Sequence, residues 1–140
     1  MDIVGTGGDS SGSLNLSTGS ALLAAACGAK VLKHGNRSIS SRSGSADVLQ
    51  ALGLPIPLDN QQTAACLEAL GFTFLFAPYY HPAMKAIAPV RTALGVRTVF
   101  NILGPLTNPA RPAFHVIGAF SESMAELMAH TLSGMNAERS

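Results

Sequence analysis

Charge is scarce in this chain. Only 12% of its 140 residues are charged, against about 25% in an ordinary globular domain. With 47% hydrophobic residues and a mean hydropathy of +0.29, the composition excludes a disordered polymer. It indicates surface meant to be covered by ligand, partner or further chain. Long apolar runs are also missing. None approaches the roughly 18 residues a membrane helix needs. The start, Met1-Asp2-Ile3-Val4-Gly5, lacks the basic segment of a signal peptide. Cysteine is limited to Cys27 and Cys66, both in Ala/Leu-rich contexts. Each reads as a small buried apolar residue, not a disulfide half. No His/Cys pair has zinc spacing, which argues against a transition-metal site. A cytosolic chain of one domain is the simplest expectation.

The most informative absence is acid. Between Asp9 and Asp47 there is no Asp or Glu, while Lys30, Lys33, His34, Arg37 and Arg42 all fall there. Net charge is only +1, so the positive field is local. Charge alone is equally consistent with a solvated basic face.

Strand and helix patterns alternate. Asp2 to Val4 reads as a strand entering the glycine-rich Gly5-Thr6-Gly7-Gly8-Asp9. Thr18 to Cys27 reads as a helix, capped by Ser17 or Thr18 and closed by Gly28. Lys30 to Lys33 reads as a strand and His34 to Ser45 as a loop. Ala46 to Leu52 is a short helix with Asp47 in its first turn. Leu54 to Pro57 is extended, Gln61 to Leu70 helical, and Phe72 to Phe76 a strongly apolar strand. Pro82 opens a helix that Pro89 should kink or break. Arg97 to Leu103 fits strand or short helix, and Gly104 to Pro109 must be loop. His115 to Phe120 is a strand and Ser121 to Leu132 a last helix. The predicted fold is α/β, a mostly parallel sheet flanked by helices.

Two segments carry recognisable chemistry. A strand, a glycine loop and a helix N-terminus in succession suit phosphate, because backbone N–H groups approach closely and the helix dipole favours anions. Gly5 to Asp9, running through Asn15-Leu16-Ser17-Thr18, has that order. It matches neither the P-loop nor the dinucleotide fingerprint, and glycine loops are mostly plain turns. The second segment, Lys33 to Ser45, packs two Arg, one Lys, one His and five Ser into thirteen residues. Such a loop can wrap a polyanion through charge-assisted bonds, or be a serine-rich surface loop. Ligands of α/β sheets sit beyond the carboxyl ends of strands, where both segments would lie. Asp9 could help a Mg²⁺ ion or cap its own loop. Arg91 could clamp a carboxylate or be a surface charge. His81, before Pro82, reads as a packing or capping residue. No Ser-His-Asp arrangement appears.

These motifs, with Asn101-Ile102-Leu103-Gly104-Pro105-Leu106-Thr107-Asn108-Pro109, occur in this order in anthranilate phosphoribosyltransferases, which the chain resembles over essentially its whole length. The resemblance implies a nucleoside phosphorylase/phosphoribosyltransferase-like large domain. It implies transfer of the 5-phosphoribosyl group from phosphoribosyl pyrophosphate to anthranilate, with Mg²⁺, in tryptophan biosynthesis. By similarity, Gly5, Gly8, Asp9, Ser13, Asn15, Leu16, Ser17, Thr18, Lys33, His34, Gly35, Asn36, Arg37, Ser38, Ile39, Ser40, Ser41 and Ser45 would hold the substrates. Ser17 would also touch Mg²⁺, and Asn36 and Arg91 would contact anthranilate. Ser13 stands where the family has Thr and keeps the hydroxyl.

The family also has an N-terminal helical domain, which forms a homodimer interface, and an Asp-Glu pair for Mg²⁺ beyond the stretch matched here. The expectation is a partial phosphoribosyl-pyrophosphate-binding domain spanning 1–140, with both remaining parts absent. Competing readings are a pyrimidine nucleoside phosphorylase-like enzyme and a non-catalytic nucleic-acid-binding relative. The low net charge and lack of aromatics in the basic loop disfavour nucleic acid, and no membrane partner is expected. This chain is expected to bind phosphoribosyl pyrophosphate weakly at best, and an anthranilate-fluorescence assay should show little or no turnover by it beside a full-length relative; normal turnover overturns that expectation.

Overall fold

The computed structural model describes residues 1–6, 14–38, 42–94 and 99–135. In chain order the elements are β1 (Asp2–Gly5), α1 (Leu16–Ala26), β2 (Val31–Gly35), α2 (Ser45–Ala51), α3 (Asn60–Leu70), β3 (Phe72–Phe76), α4 (Ala77–Tyr80), α5 (Pro82–Leu94) and α6 (Phe100–Leu103). A 3-10 turn (Gly104–Leu106), β4 (His115–Gly118) and α7 (Glu122–Gly134) follow. The fold is α/β with parallel strands, as the alternating pattern requires.

Local chemistry explains most boundaries. The helix α1 is rich in Ala and Leu, strong helix formers. It ends in a Schellman turn: Gly28 takes φ +95°, its N–H donates to the Ala25 carbonyl at 2.9 Å, and Ala29 N–H to the Ala24 carbonyl at 3.0 Å. A capping box starts α3, with Asp59 accepting from Gln62 N–H at 2.8 Å and Gln62 Oε1 from Asp59 N–H at 3.0 Å. Ser121 caps α7 through Met124 N–H at 3.3 Å.

Several expectations need correction. The N-cap of α1 is Asn15, whose carbonyl accepts from Thr18 and Gly19, so Ser17 and Thr18 lie inside the first turn. Strand β2 continues through His34 and Gly35, because pairing with β3 extends to Gly35↔Phe76. Ser45 opens α2 instead of closing a loop. A short helix, α4, precedes Pro82 with Pro78 in its first turn. Helix α5 runs through Pro89, losing the one ladder bond that proline cannot donate. Residues 100–106 are helical, with Pro105 in the first turn of a 3-10 segment where a loop was expected. Strand β4 stops at Gly118. Cys27 is exposed, carried to the surface by the turn that closes α1, and Cys66 is only half-buried.

Two parallel pairs make the sheet. Asp2↔His115 through Gly5↔Gly118 join β1 to β4, and Val31↔Phe72 through Gly35↔Phe76 join β2 to β3. Between β1 and β2 the Leu32 N–H donates to the Met1 carbonyl at 2.9 Å. Beyond that point side chains take over. Asp2 Oδ1 accepts from His34 N–H at 3.3 Å, Lys33 Nζ donates to the Ile3 carbonyl at 2.6 Å, and Asn108 Nδ2 donates to both Asp2 Oδ2 (2.9 Å) and the Leu32 carbonyl (2.8 Å). The two ladders, β4-β1 and β2-β3, thus lie side by side and meet along a seam between β1 and β2 that side chains bridge. Ile3, Ala21, Val31, Ala46, Leu49, Phe72 and Phe74 form the apolar core beneath this seam.

Asp2 is fully buried and Asn108 nearly so, so the seam tolerates no unpaired group. Asn108→Ala strands Asp2 Oδ2 and the Leu32 carbonyl, and is expected to cost about 2–3 kcal/mol. Urea unfolding followed by circular dichroism measures this; a change under about 0.5 kcal/mol contradicts it.

Candidate functional site

Lys33 projects from β2 across the seam. Its ammonium donates to the Ile3 carbonyl at 2.6 Å and to Ser17 Oγ, in the first turn of α1, at 3.2 Å. The side chain is 1% exposed. Burial pushes its pKa down from 10.5 to about 8, against the opposing pull of Asp2. One cation therefore connects the end of β1, the end of β2 and the start of α1. Asn15 extends the link: its side chain does not cap α1 but donates to the Ser43 carbonyl at 3.4 Å. The donors of the first turn are left without a side-chain cap, the condition under which a helix N-terminus accepts an anion. Thr18 is buried beside them, its hydroxyl unpartnered among the described residues.

His34, next along β2, faces the 3-10 turn. Its Nδ1 lies 3.1 Å from the Gly104 carbonyl. A carbonyl only accepts, so the proton sits on Nδ1 and Nε2 keeps its lone pair. Burial holds the imidazole below its usual pKa, with the Gly104 bond acting in the other direction. Its ring meets that of His81 edge-on at 5.1 Å. Neither Nε2 has a partner among the described residues.

Past Gly35 the chain leaves the sheet and returns at Gly44. The Asn36 carbonyl accepts from Ala46 N–H at 3.2 Å and Ser45 Oγ at 3.3 Å. A side chain at Gly44 would collide with the backbone of Asn36, Arg37 and Ser38, so the two arms touch main chain to main chain. Arg37 turns onto α2: Nη1 meets Asp47 at 2.9 Å, Nη2 meets Gln50 at 2.6 Å, and the guanidinium lies 5.9 Å from the Phe76 ring centre.

Comparison with known proteins agrees with this geometry. The family model described as glycosyl transferase family, a/b domain, matches residues 1–140. The chain belongs to this family. The anthranilate phosphoribosyltransferase of Chlorobium phaeovibrioides is 58% identical over 132 residues, 94% of this chain and 38% of the relative. The solved anthranilate phosphoribosyltransferase of Thermus thermophilus superposes with a TM-score of 0.91 at 56% identity, covering 97% of this chain and 41% of that one. The Saccharomyces cerevisiae enzyme, solved in complex with PRPP (phosphoribosyl pyrophosphate) and Mg, gives 0.89 at 34% identity, covering 98% and 39%. The chain thus spans about two-fifths of the length of the relatives it matches. The resemblance drawn from the motifs holds.

Within this glycosyl transferase domain, the structure brings Gly5, Asn15, Leu16, Ser17, Thr18 and Lys33 to one end of the strands, with His34, Gly35, Asn36, Arg37, Ser38 and Ser45 following β2. Leu16 is exposed. Gly8, Asp9, Ser13, Ile39, Ser40 and Ser41 lie outside the described residues, as does the side chain of Arg91, whose backbone sits in α5. A Mg²⁺ ion takes hard oxygen ligands, usually one or two carboxylates plus substrate phosphates. No group of three His, Cys, Asp or Glu capable of holding a metal occurs among the described residues. Ser17 offers one hydroxyl oxygen, so it fits a single contact and not a complete metal cage. The sequence assigned no site role to Asp47, Asn108, Gly104 or Ser43, although Asp47 ends the acid-free run, Gly104 and Asn108 lie in the Asn101–Pro109 motif and Ser43 in the serine-rich segment.

Lys33 predicts a pH dependence of stability. Folded, it releases its proton near pH 8; unfolded, it holds it to about 10.5. Below pH 8 both states are protonated and the burial cost is felt in full. Between about 8 and 10.5 the unfolded chain binds the extra proton, so stability rises with pH. Subtracting the urea-unfolding profile of Lys33→Met from that of the unaltered chain isolates this rise; a flat or falling difference contradicts it.

Proposed function

We propose that this chain is the phosphoribosyl-pyrophosphate-gripping part of an anthranilate phosphoribosyltransferase acting in tryptophan biosynthesis. The reaction gives N-(5-phosphoribosyl)anthranilate and pyrophosphate. The observation that carries the reading is the convergence of two segments at one sheet end, tied by Lys33 to Ser17 and by Asn15 to Ser43. It is supported by the names of the relatives and by the yeast structure with PRPP and Mg.

In this reading the uncapped first turn of α1 and the Lys33 ammonium face the diphosphate, and Ser17 lends one oxygen to a Mg²⁺ ion carried by it. That ion would neutralise charge on the leaving group. The amine lone pair of anthranilate forms the new C–N bond. The C–O bond to the diphosphate breaks with its electron pair leaving on pyrophosphate, and the amine gives up one proton. The ribosyl centre takes on positive charge during the exchange, so fixed donors on the leaving group and a positioned amine supply most of the acceleration. Asn36 and Arg91 are assigned to anthranilate. Residues 1–140 form part of a larger domain whose remainder completes the metal site, and the whole protein is a cytoplasmic homodimer.

Isothermal titration with PRPP, with and without Mg²⁺, tests the reading. Binding should strengthen with Mg²⁺, and Ser17→Ala should weaken it about tenfold, as loss of one contact to a charged group does. No saturable binding of PRPP by the unaltered chain, at any Mg²⁺ concentration, overturns it.

A further inference from the structure

Two buried ring nitrogens lie on neighbouring histidines and neither has a partner among the described residues. His34 is 2% exposed, and its Nδ1–H is committed to the Gly104 carbonyl at 3.1 Å, so Nε2 offers a lone pair. His81 stands between α4 and α5, and its Nε2 is buried and unpartnered as well. The two rings meet edge-on with their centres 5.1 Å apart, yet the nitrogens do not bond each other. Buried polar atoms are ordinarily paired. Two orphans on rings in contact point to one missing ligand that both can hold.

The surroundings are those of a transition-metal ligand. A metal-binding imidazole usually donates its other N–H to a carboxylate, a backbone carbonyl or a water, which fixes the tautomer. The Gly104 carbonyl does this for His34. Burial holds His34 below its usual pKa, so the ring is unprotonated at neutral pH, the form that ligates. A tetrahedral ion roughly 2.0–2.1 Å from one nitrogen of each of two imidazoles sets the ring centres about 5 Å apart. The observed separation meets that requirement.

We propose that His34 and His81 form a two-histidine site for a transition-metal ion of the Zn²⁺ class, with water completing its coordination. The site is separate from the Mg²⁺ contact assigned to Ser17. Imidazole nitrogen suits Zn²⁺, Ni²⁺ and Cu²⁺, whereas Mg²⁺ takes oxygen. No compact zinc motif marks it, because one ligand ends a strand and the other precedes a helix. A bound ion ties the end of β2 to the start of α5. The inference does not depend on the function proposed above.

The test is metal titration of this chain carrying Cys27→Ser and Cys66→Ser, since thiolates hold the same ions. Calorimetry with Zn²⁺ should show one ion per chain, and Co²⁺ should develop visible bands of nitrogen ligation at the same stoichiometry. Excess Mg²⁺ should displace neither. His34→Gln and His81→Gln should each weaken Zn²⁺ binding at least about tenfold, since even an outer-shell partner is worth that much. His130→Gln, on the exposed face of α7, should not. If a glutamine variant does not fold, the histidine-bearing chain still decides the matter by nitrogen magnetic resonance. Zn²⁺ should then shift Nε2 of His34 and His81 and leave His115 and His130 in place. Absence of saturable Zn²⁺ binding, a change under about twofold in both glutamine variants, or shifts confined to other histidines overturns the proposal.

Discussion

The seam between β1 and β2 is the constraint on which the rest depends. Two strands that would ordinarily share a backbone ladder are joined past Leu32 by the side chains of Asp2, Lys33 and Asn108. Buried polar groups are costly unless every one is paired. Here the pairing uses main-chain carbonyls as well as a carboxylate, so a buried cation is tolerated with its charge only partly offset. Burial still lowers the Lys33 pKa to about 8, which measures how much the fold gives up to keep that ammonium in place.

The same seam builds the site. One of the side chains that bridge it, Lys33, carries its ammonium to the first turn of α1, beyond the carboxyl end of β1, where α/β sheets bind ligands. Lys33 reaches Ser17 there. Asn108 holds the chain that follows the 3-10 turn against β2, and the Gly104 carbonyl of that turn orients His34. Lys33, which helps hold the seam, is therefore also a member of the proposed site.

A second level of order lies outside the sheet. Among the described residues the arms after Gly35 and before Ser45 have no strand partner, and the Asp47 carboxylate bonds both, with Arg37 bonded to it. The Arg37–Asp47 pair is partly exposed, and such a pair on its own adds little stability. The two amides bound by Asp47, those of Ser38 and Gly44, both precede α2.

The sequence by itself determined the elements whose cause is local. Phe72–Phe76 is an unbroken apolar run and formed the strand expected of it; Gly28 closed α1, and Pro82 opened α5. The two segments proposed to meet the ligand also stood out, because glycine, hydroxyl and cationic residues gather there next to strand ends. What only the tertiary structure decided were partnerships across distance. That His34 and Gly35 belong to β2 follows from β3 offering a register partner. That Asn15, not Ser17, stands at the N-cap position of α1 follows from where its first turn begins. Asp2 and Asn108 stand 106 residues apart, and nothing local in either predicts the other. A side chain's hydrogen-bond capacity is written in its type, but its partner is chosen by packing, after the strands have been brought together.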